Sequence, residues 1–463
     1  MTLEDTETLS ADLLKSDHDH LIHPLHHPTD HASPIIYVRG RGARVWDIAG
    51  REYIDGLSAL WNVNIGHGRA ELADAAAAQM KELAFFSAYA GSSNVPAITL
   101  AGRVTKLAGM NAVFFTCGGA EANESAFKTA RFYWKASGKP EKIKVIARTD
   151  AYHGVTLQAM SATKIGNYWK MFEPRVPGFV HIQSCYPYRF QGAKDGETVG
   201  QAAARELEEA ILCEGPDSVA AFIGEPIQGA GGVIYPTDDY WPRVREVCTR
   251  HNVLWIADEI ITGFGRTGRW FGIEHWKAKP DILTFAKGVT SGYLPLGGMM
   301  VDRAVKDALD SVPPGDRWMH AYTYSAHPTC CAVALKNLDI IESENLCARS
   351  EQMGTRLVQA LEHAFQNHPN VGEIRGGKGL LAGIELVEDR ASKKNFAADR
   401  KIVSRLQSEM ISRGVVTRTR ASGGAHPSIG DCVCFAPPLV ITEAEIDRMV
   451  GVVAESLNAV VSG

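Results

Sequence analysis

The sequence predicts an α/β protein built on a mostly parallel sheet, and three features predict it. Apolar runs of four to six residues recur without polar alternation, as strands buried on both faces require. Longer amphipathic stretches of helical character separate those runs. Several runs end in an acid, a lysine or a glycine turn, the place where parallel strands deliver ligand-binding groups. A chain of 463 residues predicts more than one domain.

Residues 1–32 read as an N-terminal arm. Six of the 16 histidines fall in HDHLIHPLHHPTDH, between His18 and His31. A metal tract would need ligand spacing that this segment lacks. It reads instead as a surface or interface segment kept extended by Pro24, Pro28 and Pro34. Residues 33–70 form the N-terminal part of a small domain, with strand-like YVRGRGARVWDIAGREYID broken by glycine turns. Residues 71–343 form the large domain. It starts with helical LADAAAAQMKEL and continues through strands at Ala112–Thr116, Ile143–Ala147, Val219–Gly224, Val253–Ala257, Ile282–Ala286 and Gly298–Val301. Residues 344–463 alternate helices with short strands, a terminal α+β domain. Its last helix opens with Thr442-Glu443-Ala444-Glu445, the spacing of a capping box.

Composition narrows the function classes. Hydrophobic residues make up 45% and charged residues 22%, the balance of an ordinary globular protein. Lys plus Arg is 48 against 53 Asp plus Glu, a net charge of -5, which argues against nucleic acid or an anionic membrane as partner. No apolar run reaches the roughly 18 residues of a membrane span. The acidic N-terminus lacks a secretory signal pattern. Nine cysteines without a C-x-x-C pair predict reduced thiols, a cytoplasmic location and no metal site.

Four elements carry chemistry. Val219–Gly224 runs into Glu225, Val253–Ala257 into Asp258, and Ile282–Ala286 into Lys287, so two acids and a lysine converge on one crevice. A lysine behind four apolar residues is partly desolvated, which lowers its pKa and frees its amine as a nucleophile. Taken alone, Lys287 reads first as a strand-end lysine snorkelling to water, since most lysines are surface charges. Cys117-Gly118-Gly119-Ala120, between a strand and a helix, suits an anion at a helix N-terminus; it is neither a Walker loop nor G-x-G-x-x-G. Tyr152, just past another strand, suits stacking on a flat ring. A phosphate cradle, a stacking tyrosine, an acid for a ring nitrogen and a lysine for an aldehyde together describe pyridoxal 5'-phosphate.

The ordered motifs GREYIDGLSALWNVNIGHG, FFTCGGAEANE, AYHG, EPIQGAGG, WIADEIITGFGRTG, DILTFAKGVTSGYLPLGG, AYTYSAHP, GKGLLAGIEL and CFAPPLVIT carry a resemblance from Ser33 to the C-terminus. The chain resembles the class III aminotransferases of the fold type I pyridoxal-phosphate enzymes. It is most similar to the ω-amino acid and amine:pyruvate transaminases. The resemblance implies a seven-stranded, mostly parallel sheet flanked by helices, with a smaller α+β domain built from both ends of the chain. It implies that Lys287 binds the cofactor covalently and that Asp258 meets the pyridine nitrogen. It places Tyr152 on one ring face and Ile260 on the other, with Gly119 and Ala120 at the phosphate. Glu225 joins the cofactor site, and Gln228 lies near the ring hydroxyl. Thr323 reaches the phosphate of a partner subunit, so the active site is completed in a homodimer, or in a tetramer built on it. Trp61, Tyr89 and Tyr168 line the substrate pocket.

Two departures stand out. The family commonly has Ser-Gly-Ser where this chain has Gly118-Gly119-Ala120, which shifts phosphate binding onto backbone N–H groups and Thr323. Near the C-terminus, where the family has one arginine for a substrate carboxylate, this chain offers Arg418 and Arg420, followed by an ASGGAHPSIGD segment; Arg418 matches the motif GVVTR better. The expected activity is ping-pong transfer of an amino group from an ω-amino acid or primary amine to a keto acid, pyruvate by resemblance. A class III decarboxylase, racemase or aminomutase would use the same lysine and aspartate, and taurine, putrescine or 4-aminobutyrate each fit as donor. A non-catalytic binding protein is the reading from another class, and the retained Lys287, Asp258 and Tyr152 argue against it.

Overall fold

Val219–Gly224 is buried at every position, and so are Leu254–Asp258 and Ile282–Phe285. Strands this apolar on both faces need helices above and below them. The computed structural model, which describes residues 3–89, 91–422 and 429–462, shows that arrangement. A seven-stranded sheet runs in the order Ala112–Thr116, Gly297–Val301, Ile282–Phe285, Leu254–Asp258, Val219–Gly224, Lys144–Arg148, Phe179–Ile182. Gly297–Val301 is antiparallel to both neighbours, and every other adjacent pair is parallel. Phe179–Ile182 is an edge strand that the sequence reading passes over: it is only four residues long and just one of them is fully buried.

One face of the sheet is covered by helix Gly119–Ala136, whose Ala126, Phe127, Ala130 and Trp134 pack on Val145, Ala221, Ile256 and Met299. The other face is covered by helices Val199–Glu214 and Tyr240–Arg250. Their Leu207, Ile211, Trp241 and Val244 pack on Ile146, Phe222 and Trp255. Trp241 and Trp255 stack at 5.1 Å between ring centres.

The chain ends meet in two smaller sheets. Tyr37–Arg41, Arg44–Asp47 and Glu52–Asp55 form an antiparallel meander, and Val415–Val416 joins its edge in parallel. Val371–Arg375, Ala382–Leu386, Asp431–Phe435 and Arg418–Arg420 form the third sheet. The last helix, Glu443–Ser462, has the reciprocal cap that its sequence predicts: Glu445 N–H donates to Thr442 Oγ1 at 3.3 Å, and Thr442 N–H to Glu445 Oε2 at 2.9 Å.

The arm requires a correction. Residues Leu3–His20 are a helix, not extended chain. The prolines that enforce extension begin only at Pro24, and Lys15 supports the last turns through an i,i+4 pair with Asp19 at 2.6 Å. Residues 423–428 of the ASGGAHPSIGD segment lie outside the described residues. Among the described residues, no helix is long and apolar enough to cross a membrane, and no group of His, Cys, Asp or Glu is arranged to hold a metal ion.

Candidate active site

Parallel strands at the centre of the sheet deliver their C-terminal residues to one cavity of about 160 Å³. Glu225, Asp258 and Lys287 line it from three neighbouring strand ends. Tyr152 and His153 line it from the loop after Lys144–Arg148, Ile260 from the turn after Asp258, and Gly119 and Ala120 from the helix start.

Lys287 opens a single helical turn with φ of +46°. A non-glycine residue in that region costs about 1–3 kcal/mol, held by its surroundings. Burial pulls the Lys287 amine down to about 8; Asp258 and Glu225 oppose the shift and Arg418 adds to it. An amine at about 8 has about a tenth of its population unprotonated at pH 7, far more than an ordinary lysine, and that fraction is the nucleophile.

Asp258 is 2% exposed and accepts three hydrogen bonds. Asn123 Nδ2 donates to its Oδ2 at 2.8 Å, His153 Nδ1 donates to the same oxygen at 2.7 Å, and the Ile260 N–H donates to Oδ1 at 3.1 Å. Asn123 is itself fixed, receiving from Thr284 Oγ1 at 2.8 Å and donating to the His153 carbonyl at 2.8 Å. The sequence reading names neither His153 nor Asn123 as a partner of Asp258. Both sit inside quoted motifs, AYHG and FFTCGGAEANE, and nothing local in those motifs marks them as partners of Asp258.

Glu225 braces the opposite wall. Its Oε1 accepts from the Tyr152 N–H at 3.1 Å and its Oε2 from the Gly229 N–H at 2.8 Å. Burial, reinforced by Asp258, raises its pKa above the usual carboxylate value.

The helix Gly119–Ala136 starts without a side-chain cap on its N-terminus, which leaves backbone N–H groups and the positive end of the helix dipole facing the cavity. A Cβ on Gly119 would stand 2.7 Å from Ile260 Cδ1, so glycine is what lets the cradle and Ile260 approach each other. A nucleophilic amine, a carboxylate, an aromatic face and an anion cradle are the donor set that pyridoxal phosphate needs, and they fit it.

Other expected site residues lie further out. Tyr168 neighbours Tyr152 with ring centres 5.5 Å apart. Trp61 is 2% exposed, shares a buried cluster with Ile227 and Ile261, and leaves its indole Nε1 without a partner. Gln228 is fully buried, donates to the Thr149 carbonyl at 2.9 Å, and is not among the cavity-lining residues. Tyr89 and Thr323 are exposed on the surface of the single chain. The two arginines differ sharply. Arg420 is consumed by Asp150 Oδ1 at 2.5 Å and the Gly231 carbonyl at 2.6 Å. Arg418 pairs with no carboxylate among the described residues, and its buried Nε has no partner.

The family model for aminotransferase class-III matches residues 26–457. The chain belongs to that family. It is 37% identical over 425 residues to the putrescine–pyruvate aminotransferase of Pseudomonas aeruginosa, covering 91% of this chain and 90% of that one. It is 38% identical over 467 residues to the diaminobutyrate–2-oxoglutarate transaminase of Halomonas elongata, covering 98% and 97%. A solved structure of an (S)-enantioselective omega-transaminase from Thermomicrobium roseum superposes with a TM-score of 0.91 at 44% identity, over 97% of this chain and 99% of that one. The protein is thus a class III aminotransferase, an enzyme that moves an amino group from an amine donor to a keto acid, and its sheet is that of the fold type I enzymes.

Proposed function

We propose that the cavity binds pyridoxal 5'-phosphate through Lys287, and that the enzyme transfers the amino group of an ω-amino acid or primary amine to pyruvate. The observation that carries the reading is the meeting of an amine at about 8, Lys287, with the hydrogen-bonded Asp258 in one cavity. When bound, the cofactor supplies an aldehyde for the lysine and a ring that accepts electron density from the donor's amino carbon.

The chain's own residues do the rest. Asp258, held by His153 and Asn123, presents a carboxylate that keeps a proton on the ring nitrogen. Tyr152 and Ile260, which both line the cavity, would hold the ring between them. Gly119, Ala120 and their neighbours offer backbone N–H groups to the phosphate. With the cofactor bound, the Lys287 amine would take the proton from the donor's amino carbon and return it to the carbon that had been the cofactor's aldehyde. Donor and acceptor use these groups in turn, so the kinetics are ping-pong.

Arg418 receives the carboxylate of the acceptor. Among the described residues it makes no ion pair, whereas Arg420 is held by Asp150. One such guanidinium matches the one carboxylate of pyruvate, whereas 2-oxoglutarate brings two. Exposed apolar side chains, among them Phe86, Tyr89 and Tyr324, support a homodimer in which Thr323 reaches the partner's phosphate.

The test is a donor panel of putrescine, taurine, β-alanine, 4-aminobutyrate and 1-phenylethylamine with pyruvate or 2-oxoglutarate, reading alanine against glutamate. Alanine from pyruvate, with 2-oxoglutarate at least tenfold poorer, supports the proposal. Glutamate as the dominant product would overturn the acceptor assignment.

A further inference from the structure

The segment that leads to Thr323 is pinned to the cradle helix by one imidazole. His320 Nδ1 lies 2.8 Å from Lys128 Nζ, and His320 Nε2 lies 2.8 Å from Ser125 Oγ. A lysine ammonium only donates, so Nδ1 must accept. The ring proton then sits on Nε2 and is donated to Ser125 Oγ. The Ser125 hydroxyl is free to do this because its own proton goes to the Glu121 carbonyl at 2.7 Å. Glu121, Ser125 and Lys128 stand at i, i+4 and i+7 on the helix Gly119–Ala136, so they form one stripe along it.

The ring is also clamped on its apolar sides. Its centre lies 4.9 Å from Trp318, 4.9 Å from Tyr322 and 5.3 Å from Phe114. The Tyr322 hydroxyl adds a long contact of 3.4 Å to the Glu121 carbonyl. Burial, with Lys128 alongside, pushes the imidazole down to about 4, which keeps it neutral as the tautomer requires. Thr323 follows immediately and is exposed.

We propose that His320 is a positioning residue that locks the Thr323 segment to the cradle helix, so that each protomer lends its partner a phosphate ligand fixed to its own cradle. The inference rests on the homodimer reading above. It deepens that reading by tying the two phosphate sites to a single helix.

The test uses full-length protein stripped of cofactor and titrated with pyridoxal phosphate or with pyridoxal, which lacks the phosphate. The readout is the dissociation constant from quenching of tryptophan fluorescence. His320→Leu should weaken pyridoxal phosphate about tenfold, the effect of one misplaced charge-assisted hydrogen bond, and leave pyridoxal unchanged. His320→Gln, whose amide keeps one acceptor and one donor, should restore most of the affinity. On a Thr323→Ala background, His320→Leu should cause no further loss. Lys128→Met, at an exposed position that tolerates change, should show a smaller loss in the same phosphate-only pattern and covers the case in which His320→Leu does not fold.

Equal weakening of both ligands would mean that His320 is merely structural and would overturn the proposal. So would a Thr323→Ala loss that neither His320→Leu nor Lys128→Met reproduces. If Thr323→Ala itself leaves pyridoxal phosphate binding intact, the shared-site reading falls first, and this proposal falls with it.

Discussion

At the scale of single residues, the account depends on how environment sets the reactivity of Lys287. With its amine near 8, the nucleophile gains its lone pair as pH rises through about 8 instead of through the ordinary lysine range. Below that pH the ammonium cannot attack an aldehyde. The rate of cofactor capture by stripped enzyme should therefore climb between pH 7 and pH 9 and then level off. A midpoint near 10.5, read by stopped-flow absorbance, would show that burial does not tune this lysine. His153 acts one step away. Replacing it with alanine removes one of the three hydrogen bonds on Asp258, which should lower kcat by roughly tenfold, since a bond to a charged group contributes about 1.5–3 kcal/mol. Cofactor affinity should change far less, because the phosphate cradle is untouched. His153 was illegible from sequence because its partner lies 105 positions away. The placement of Lys287 and Asp258 in one cavity was legible because each follows an apolar run, and a strand end in a parallel sheet predicts where a side chain goes.

At the scale of elements, strand Arg418–Arg420 shows where sequence reading stops. Residues two apart on a strand share a face, so strand geometry does not separate the two arginines, and only the motif GVVTR favoured Arg418. Asp150, 270 positions upstream, separates them by claiming Arg420. The two substitutions should then diverge. Arg418→Ala should raise KM for pyruvate roughly 30-fold, from the loss of about 2 kcal/mol of charge-assisted binding, and leave KM for simple amines nearly unchanged. Arg420→Ala should instead lower stability by roughly 2–3 kcal/mol, because it strips Asp150 and the Gly231 carbonyl of a largely buried donor. Steady-state kinetics and thermal melts on both variants check the division, and the reverse pattern would exchange their roles. Six of the seven strands, the edge strand Ala112–Thr116 among them, were readable from their apolar runs to within a residue at their ends. Phe179–Ile182 was not, because it is a four-residue edge strand with one buried residue and a histidine inside it.

At the scale of the whole molecule, the proposal that Thr323 reaches a partner's phosphate makes the homodimer the working unit. Phe86, Tyr89, Val95, Ile98 and Tyr324 are each more than half exposed, a large apolar exposure for a lone subunit. Activity should fall on dilution together with the dimer fraction measured by sedimentation, and full specific activity in a monomer would contradict shared sites. The joining of Val415–Val416 to Glu52–Asp55 is equally a property of the whole. Local patterning predicts strands at both ends of the chain, but long-range register alone tells that they pair.

The most direct measurement is borohydride reduction of the protein loaded with pyridoxal phosphate, followed by digestion and peptide mass mapping. The account predicts one cofactor per chain, fixed to the peptide that contains Lys287. Modification of a different lysine, or none at all, would contradict it.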